Sequence, residues 1–457
     1  MVLKKIRSEG LAHLSYLIGS GNEAAVIDPR RDVDVYIDLA HEEGLRITHV
    51  FETHRNEDYL VGSREIAART GAEVYHHEAT DWGYGNDCAE GDRFSIGQLR
   101  LEVLSTPGHT YDSISLAVYD TEFSDDDAVG VFTGDALFIG DVGRTDFFPD
   151  RREEVAGLLY DSIFEKLLPL GDQTILYPAH GAGSVCGESM ASREFSTLGF
   201  ERMHNEVLQM TDRDEFVQFK ATEFHHMPMY FDHIHSNNQS GPELLRDAVG
   251  EIPGPMSAME MNAFCQDGGL VIDLRGAEGF GGAHIPGALN ITFAMLSAYI
   301  GYQVDYDTPL AFVVSNRAMF EDAWTQLQRI DYVKVAGWLD GGMEEWAINA
   351  LPYDTIPQIF VEEIKRRYDE GEEFLLLDVR KKTEYEKGSL AGAQHIFVGE
   401  LQDRLDEVGD KRPIITFCGT GYRASNAASI LKRNGFDQVE NFLGSMKACH
   451  ETACPMQ

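Results

Sequence analysis

No apolar run in this 457-residue sequence approaches the roughly 20 residues that a membrane-crossing helix needs. Basic residues are also scarce, 38 Lys and Arg against 76 Asp and Glu, for a formal net charge of −38. So acidic a chain has little positive surface to offer nucleic acid or anionic lipid, and neither is expected as a partner. Cysteine is thin as well: Cys88, Cys186, Cys265, Cys418, Cys449 and Cys454, with no C-x-x-C pair. Six scattered thiols in so long a chain exclude a disulfide scaffold and a zinc ribbon. They fit a reducing compartment, and a cytoplasmic location is expected. The N-terminal stretch has basic residues but no continuous apolar segment and no small-residue cleavage site, so no signal peptide is expected.

What is present is enough apolar residue, 43%, for ordinary packed cores, and a length that suggests about three domains. Over residues 1–250, short apolar strands alternate with amphipathic helices. Four times a strand runs into a Gly/Pro or polar turn and then a ligand-type residue: His54 after residues 47–52, His109 after 99–104, Asp135 after 129–132 and His180 after 175–177. Polar groups at strand ends are how α/β sheets build sites. The acidic stretch 120–127 reads as a solvated hairpin tip. Residues 185–250 hold His225, His226, His233 and His235, loosely spaced and interrupted by Pro228, and read as a helical connector rather than a second metal site.

From about residue 255 a pattern appears twice. Leu270–Arg275 is echoed by residues 375–380, Gly282–Ala288 by 388–393, Ala311–Ser315 by 414–418, and Gly341–Met343 by 444–446. An offset a little above 100 residues marks two copies of one small α/β domain, over 251–353 and 354–457.

His54, His109 and Asp135 are two imidazoles and a carboxylate on three separate strand-end loops. Such a set leaves coordination positions open, as non-haem Fe(II) oxygenases require, and the same donors suit a catalytic zinc. The stretches carrying them are THRNED at 53–58, STPGHT at 105–110, FTGDALFIGDVGRTDF at 132–147 and YPAH at 177–180. On these, residues 1–250 resemble the metallo-β-lactamase fold, an αββα sandwich, and within it the persulfide dioxygenase branch. The resemblance implies one Fe(II) per chain on His54, His109 and Asp135, with zinc as the alternative. Hydrolases of that fold hold a second metal through further histidines; Asn56 and Tyr59 stand in two of those places, while Asp58 and His180 remain. Asp58, Tyr59 and His180 are expected to orient ligands or water, Thr110 to hydrogen-bond substrate or O2, and Arg144 to attract an anionic substrate.

In the second copy, Cys418-Gly419-Thr420-Gly421-Tyr422-Arg423 follows a strand and precedes a helix. A cysteine at a helix N-terminus beside an arginine is expected to be thiolate-biased, since such settings bring a thiol to about 3.5–7.5. Gly419, Thr420, Gly421 and Tyr422 can fold into an anion-cradling loop. The loop resembles that of the rhodanese family, which implies Cys418 as nucleophile, Arg423 as its catalytic partner and sulfane sulfur as cargo. The first copy has Ser315-Asn316-Arg317 instead, and a hydroxyl cannot carry a persulfide as a thiolate does. It is read as a rhodanese-like domain without transferase activity. Cys449 and Cys454 are assigned to core packing, and Cys88, Cys186 and Cys265 to no role.

The architecture implied is therefore α/β throughout: a metallo-β-lactamase sandwich followed by two rhodanese-like domains with doubly wound parallel sheets. The function implied is oxidation of a small thiol persulfide with O2 to sulfite, coupled to sulfur transfer that forms or uses thiosulfate. A homo-oligomer, dimer or tetramer, is expected. The alternatives are a zinc thioester hydrolase joined to a rhodanese, or a sulfurtransferase with a degenerate metal domain as scaffold.

Overall fold

The computed structural model describes the chain apart from residues 185, 186, 188, 189, 410, 411, 453 and 457. Cys186 therefore lies outside the described residues. The chain divides into two compact units, one of residues 1–250 with 328–331 and the other of 251–327 with 332–457. No helix among the described residues is long and apolar enough to cross a membrane.

The first unit is built on two sheets. Strands Val2–Ser8, His13–Ser20, Glu23–Ile27, Arg46–Phe51, Glu73–His77 and Asn86–Cys88 form one, in that spatial order. The other runs Ile175–Pro178, Gly130–Gly134, Ile114–Asp120, Leu99–Ser105, Arg93–Ile96. Alternation along the strands sends side chains to opposite faces. Leu14, Tyr16 and Ile18 join Leu101, Val103, Leu116 and Phe132 in the core between the sheets. Leu17, Ala24 and Val26 face the other way, onto Tyr36 and Ala40 of helix Asp34–Glu42 and Ile66 of helix Ser63–Thr70. Helix Arg152–Asp161 contributes Leu159 to a third cluster with Val131 and Leu176, on the outer face of the second sheet. The result is the αββα layering that the resemblance implied. Residues 120–127 are the connection between antiparallel strands Ile114–Asp120 and Gly130–Gly134, and their tip is exposed.

The second unit repeats one plan twice. Each repeat has a five-stranded parallel sheet, with Leu310–Val313 and Leu270–Asp273 central in one, and Ile414–Phe417 and Leu375–Asp378 central in the other. These four strands are buried at every position. A sheet covered on both faces needs continuous apolar runs of this kind. The sequence echo is also a structural one. Arg275 chelates Asp273 and donates to the Ala283 carbonyl at 2.8 Å; Arg380 does the same with Asp378 and the Gly388 carbonyl, also at 2.8 Å.

One expectation needs correction here. Cys449 and Cys454 are buried in the core of the second repeat, but they are joined as a disulfide. Helix Ser445–Thr452 ends and the chain doubles back, leaving the two Cα atoms 5.0 Å apart. That reversal is not visible in a spacing of five residues.

Candidate functional site

The ligand-type residues of the first unit gather because their strands end at one edge. Strands Leu99–Ser105, Gly130–Gly134 and Ile175–Pro178 run in the same direction through the second sheet, so the turns after them, carrying His109, Asp135 and His180, open on the same side. The turn after Arg46–Phe51 in the facing sheet brings His54, and the Ile114 amide donates to the Thr53 carbonyl across the gap. Gly134 has φ of +52°, and a Cβ there would sit 2.6 Å from the Thr53 hydroxyl, so this close approach needs glycine.

One ligand atom from each of His54, His109 and Asp135 lies within 4.8 Å of the others, and all three residues are buried. Asp135 Oδ2 is 3.8 Å from His54 Nε2 and 3.5 Å from His109 Nε2. The far side of each ring fixes its tautomer. The Thr53 hydroxyl donates to Asp28 at 2.8 Å, so it accepts from His54 Nδ1 at 2.9 Å. His109 Nδ1 donates to the Arg144 carbonyl at 3.0 Å. Both Nε2 atoms lie beside Asp135 Oδ2, and the three atoms make no hydrogen bond with one another; burial lowers the pKa of the His109 ring, but Glu57, 3.2 Å from its Nε2, and Asp135 outweigh it and raise it. Buried polar atoms are nearly always paired, so donor atoms of two histidines and an aspartate gathered around one point fit a cation site. Neutral imidazoles with the distal nitrogen engaged are what a divalent metal needs. Histidines 225, 226, 233 and 235 form no such group among the described residues.

The other carboxylate oxygen of Asp135 is already taken. His180 Nδ1 donates to Asp135 Oδ1 at 2.7 Å, and His180 Nε2 donates to Asp58 Oδ2 at 3.0 Å. Burial disfavours charge on His180, but Asp135 and Asp58 outweigh it and hold the ring as an imidazolium well above its ordinary range. Burial likewise pushes Asp135 up, and His180, then His54 and His109, bring it well below the usual carboxylate range. Asp58 and His180 thus neutralise each other instead of facing an open space. Tyr59 fills the space beside them: its ring packs 4.0 Å from that of His13 and its hydroxyl donates to the Asp28 carbonyl at 3.4 Å. The Asn56 amide donates to the His54 carbonyl at 3.3 Å. The Thr110 hydroxyl is bonded to Ser113 at 2.8 Å, so its closest tie is local.

Arg144, expected to attract an anionic substrate, is paired with Asp146. Its side chain is fully buried, with Nε and Nη2 donating to Asp146 at 2.7 and 2.9 Å and the guanidinium lying over the Phe147 ring at 4.7 Å. The Gly-Arg-Thr-Asp-Phe stretch therefore holds a buried ion pair that is also bonded to the His225 backbone, and it presents the Arg144 carbonyl to His109. Arg144→Ala strands a buried Asp146 charge and is expected to lower the stability of the metal-free chain by about 3–5 kcal/mol, read as denaturant unfolding.

Sequence reasoning passed over Glu57, Asp28 and Thr53. Glu57 is buried, with Oε1 3.2 Å from His109 Nε2. Its signal was present in the acidic Glu57-Asp58 pair that follows His54-Arg55-Asn56, where a solvent-facing loop would be the ordinary reading.

In the second unit, Cys418 ends strand Ile414–Phe417 and is buried. The Gly421 amide donates to its sulfur at 3.1 Å, and the Cys418 amide donates to the Ser445 hydroxyl at 3.1 Å. Gly421, with φ of +112°, turns the loop into helix Tyr422–Arg433. Arg423 is fixed by Glu384, donating at 2.5 and 2.8 Å, and a Cβ on Gly419 would meet its guanidinium. Burial opposes charge on Arg423, but Glu384 and its other neighbours hold it firmly protonated. The helix packs on the first repeat through buried polar groups. The Ser425 hydroxyl donates to Asn290 at 2.6 Å, the Asn290 amide donates to Ser429 at 3.0 Å, and Asn426 and Gln303 exchange hydrogen bonds. Tyr299, also from the first repeat, faces Arg423. Ser315 and Asn316, which stand where Cys418 and Gly419 do, are exposed.

Two family models match the two units separately. The metallo-beta-lactamase superfamily matches residues 9–180, and the rhodanese-like domain matches 257–349 and 360–452. A crystallised metallo-beta-lactamase from Staphylococcus aureus is 31% identical with a TM-score of 0.66, over 74% of this chain and 98% of that one. The persulfide dioxygenase ETHE1, mitochondrial, of Bos taurus is 32% identical over 36% of this chain. The hydroxyacylglutathione hydrolase of Rhodospirillum rubrum is 36% identical over 34%. The chain spans 63% of the length of the first and 56% of the second. With its αββα sandwich, its buried two-histidine, one-aspartate cluster and its duplicated parallel-sheet unit, the chain belongs to the metallo-β-lactamase superfamily, with persulfide dioxygenases among its homologues and two rhodanese-like domains joined at its C-terminal side.

Proposed function

We propose that the first unit oxidises the outer sulfur of a small-thiol persulfide at a single Fe(II), and that Cys418 of the second transfers sulfane sulfur. The observation that carries this reading is the trio of buried donor atoms on His54, His109 and Asp135, with the His180 imidazolium locked between Asp58 and Asp135. A second metal would need Asp58 and His180 free and further imidazoles at Asn56 and Tyr59. One metal held by two histidines and a carboxylate keeps positions open for both O2 and a sulfur substrate.

A ferrous ion in that set supplies the redox chemistry. The protein's own groups do the rest. The Asp28–Thr53 relay and the Arg144 carbonyl hold the two rings by their Nδ1 atoms, and His180, by donating to Asp135 Oδ1, leaves Oδ2 as the oxygen that would hold the ion. The balance is RSSH + O2 + H2O → RSH + sulfite + 2 H+. At Cys418, the thiolate attacks the outer sulfur of a persulfide, the S–S bond breaks and RS− leaves, so Cys418 carries a persulfide. Sulfite then attacks the outer sulfur, thiosulfate forms and the Cys418 thiolate returns. The Gly421 amide at the sulfur and the Arg423 guanidinium stabilise anions at both stages.

Identity to a hydroxyacylglutathione hydrolase favours a second reading, a zinc thioester hydrolase. Iron-loaded and zinc-loaded full-length protein separate the two. Oxygen uptake with glutathione or coenzyme A persulfide, with sulfite released, is the expected result. Thioester turnover by the zinc form, with no oxygen uptake by the iron form, overturns the dioxygenase reading.

A further inference from the structure

The loop that carries His54 is held from a distant part of the chain. Residues 52–62 run between strand Arg46–Phe51 and helix Ser63–Thr70, outside any helix or strand, and all but Arg55 are buried. A buried irregular backbone has to find its hydrogen-bond partners elsewhere in the molecule. At the two ends, the Thr53 amide donates to Asp28 Oδ1 and the Gly62 amide to the Pro29 carbonyl, each at 2.7 Å. The middle is held by Asn238, on helix Phe231–Ser240. Its Nδ2 donates to the Asn56 and Tyr59 carbonyls, both at 2.8 Å, and its Oδ1 accepts from the Val61 amide at 3.1 Å.

Asn238 is fully buried, and it commits both amide protons and its oxygen to one stretch of backbone 177 to 182 residues earlier in the chain. Aspartate has the same shape without the protons, and leucine has the volume without either function. Gln239 extends the seam. Its Oε1 accepts from Arg55 Nη1 at 2.9 Å and its Nε2 donates to the Asp81 carbonyl at 3.0 Å. This helix lies beyond the residues 9–180 that match the metallo-beta-lactamase superfamily, in the stretch expected to be a connector.

The two carbonyls that Asn238 holds bracket Glu57 and Asp58. Asp58 Oδ2 accepts from His180 Nε2 at 3.0 Å, and His180 Nδ1 donates to Asp135 Oδ1 at 2.7 Å. Backbone fixed on both sides of Asp58 therefore fixes His180, and His180 decides which oxygen of Asp135 is left beside His54 and His109. Resting on the reading of this cluster as a metal centre, we propose that Asn238 is a positioning residue of that centre. It touches no ligand atom; it clamps residues 56–61 and acts on Asp135 through Asp58 and His180. Groups that orient metal ligands at one remove alter metal affinity by about 10- to 100-fold.

Cobalt(II) is the probe, because its visible spectrum reports coordination directly. Full-length protein is stripped of metal and titrated with Co(II), alongside Asn238→Asp, Asp58→Asn, the double variant and His54→Ala. Asn238→Asp is expected to bind Co(II) roughly 10- to 100-fold more weakly with an altered spectrum. The double variant is expected to bind no more weakly than the poorer of the two single ones, because both act through one relay. Affinity within twofold and an unchanged spectrum in Asn238→Asp, while His54→Ala loses the ion, overturns the positioning role and leaves the metal centre standing. Losses that multiply in the double variant overturn the route through Asp58. Equal binding by wild type and His54→Ala overturns the metal centre itself. Hydrogen exchange on the wild-type chain gives a result independent of any folding defect in a variant. Since coupling is reciprocal, bound Co(II) should slow amide exchange over residues 56–61 and 231–240 at least tenfold; unchanged exchange at 231–240 in protein that holds the ion refutes the clamp.

Discussion

Replacing His109 with alanine is expected to cost the full-length protein at least 100-fold in metal affinity, about 2.7 kcal/mol. Metal-dependent oxygen uptake should be lost with it. The ring sits at the centre of the cluster, near both Asp135 and Glu57, and its tautomer is set by a backbone carbonyl that no side-chain change removes. Metal content after dialysis against a weak chelator measures the effect, and retention of one equivalent by the variant would sink the assignment. The same variant should transfer sulfur from thiosulfate at the wild-type rate, because Cys418 has its own strand, helix and anion cradle in the second unit.

The second large effect is expected at Cys418. Cys418→Ser keeps the loop's shape and removes the only atom in it able to hold a sulfane sulfur. Thiosulfate-dependent sulfur transfer should fall by at least about 10^3-fold, about 4 kcal/mol in the barrier. Oxygen uptake with a thiol persulfide should stay within twofold of wild type. The informative quantity is the product ratio. With the variant, persulfide oxidation should end at sulfite; with wild type, part of that sulfite should appear as thiosulfate. Undiminished thiosulfate from Cys418→Ser would remove Cys418 from the coupled reaction.

The two repeats of the second unit are tied together by buried polar groups. Helix Tyr422–Arg433, which begins at the Cys418 loop, has polar residues on the face it turns to the first repeat. Ser425, Asn426 and Ser429 are buried there and are satisfied by Asn290 and Gln303. Unpaired, each of these groups would cost about 1–3 kcal/mol. The repeat with Ser315 in place of a cysteine thus holds the helix that begins at the Cys418 loop.

The sequence determined the ligand types, the layering and the duplication by itself, because each is written in local pattern. His54, His109, Asp135 and His180 each follow a strand-like run, and the two central strands of each repeat are apolar at nearly every position, which is the mark of a sheet covered on both faces. What only the tertiary structure decided is the state of each polar group, because that depends on partners far away in the chain. Arg144 reads as a substrate cation until its side chain is seen paired with Asp146 over Phe147 and its carbonyl accepting from His109. His180 reads only as a group that orients ligands or water until Asp58, 122 residues away, and Asp135, 45 residues away, are found holding it charged between them. Glu57 reads as a loop acid until folding buries it against His109. Burial and pairing set the charge and direction of these groups, and both are properties of the packed molecule rather than of any stretch of sequence.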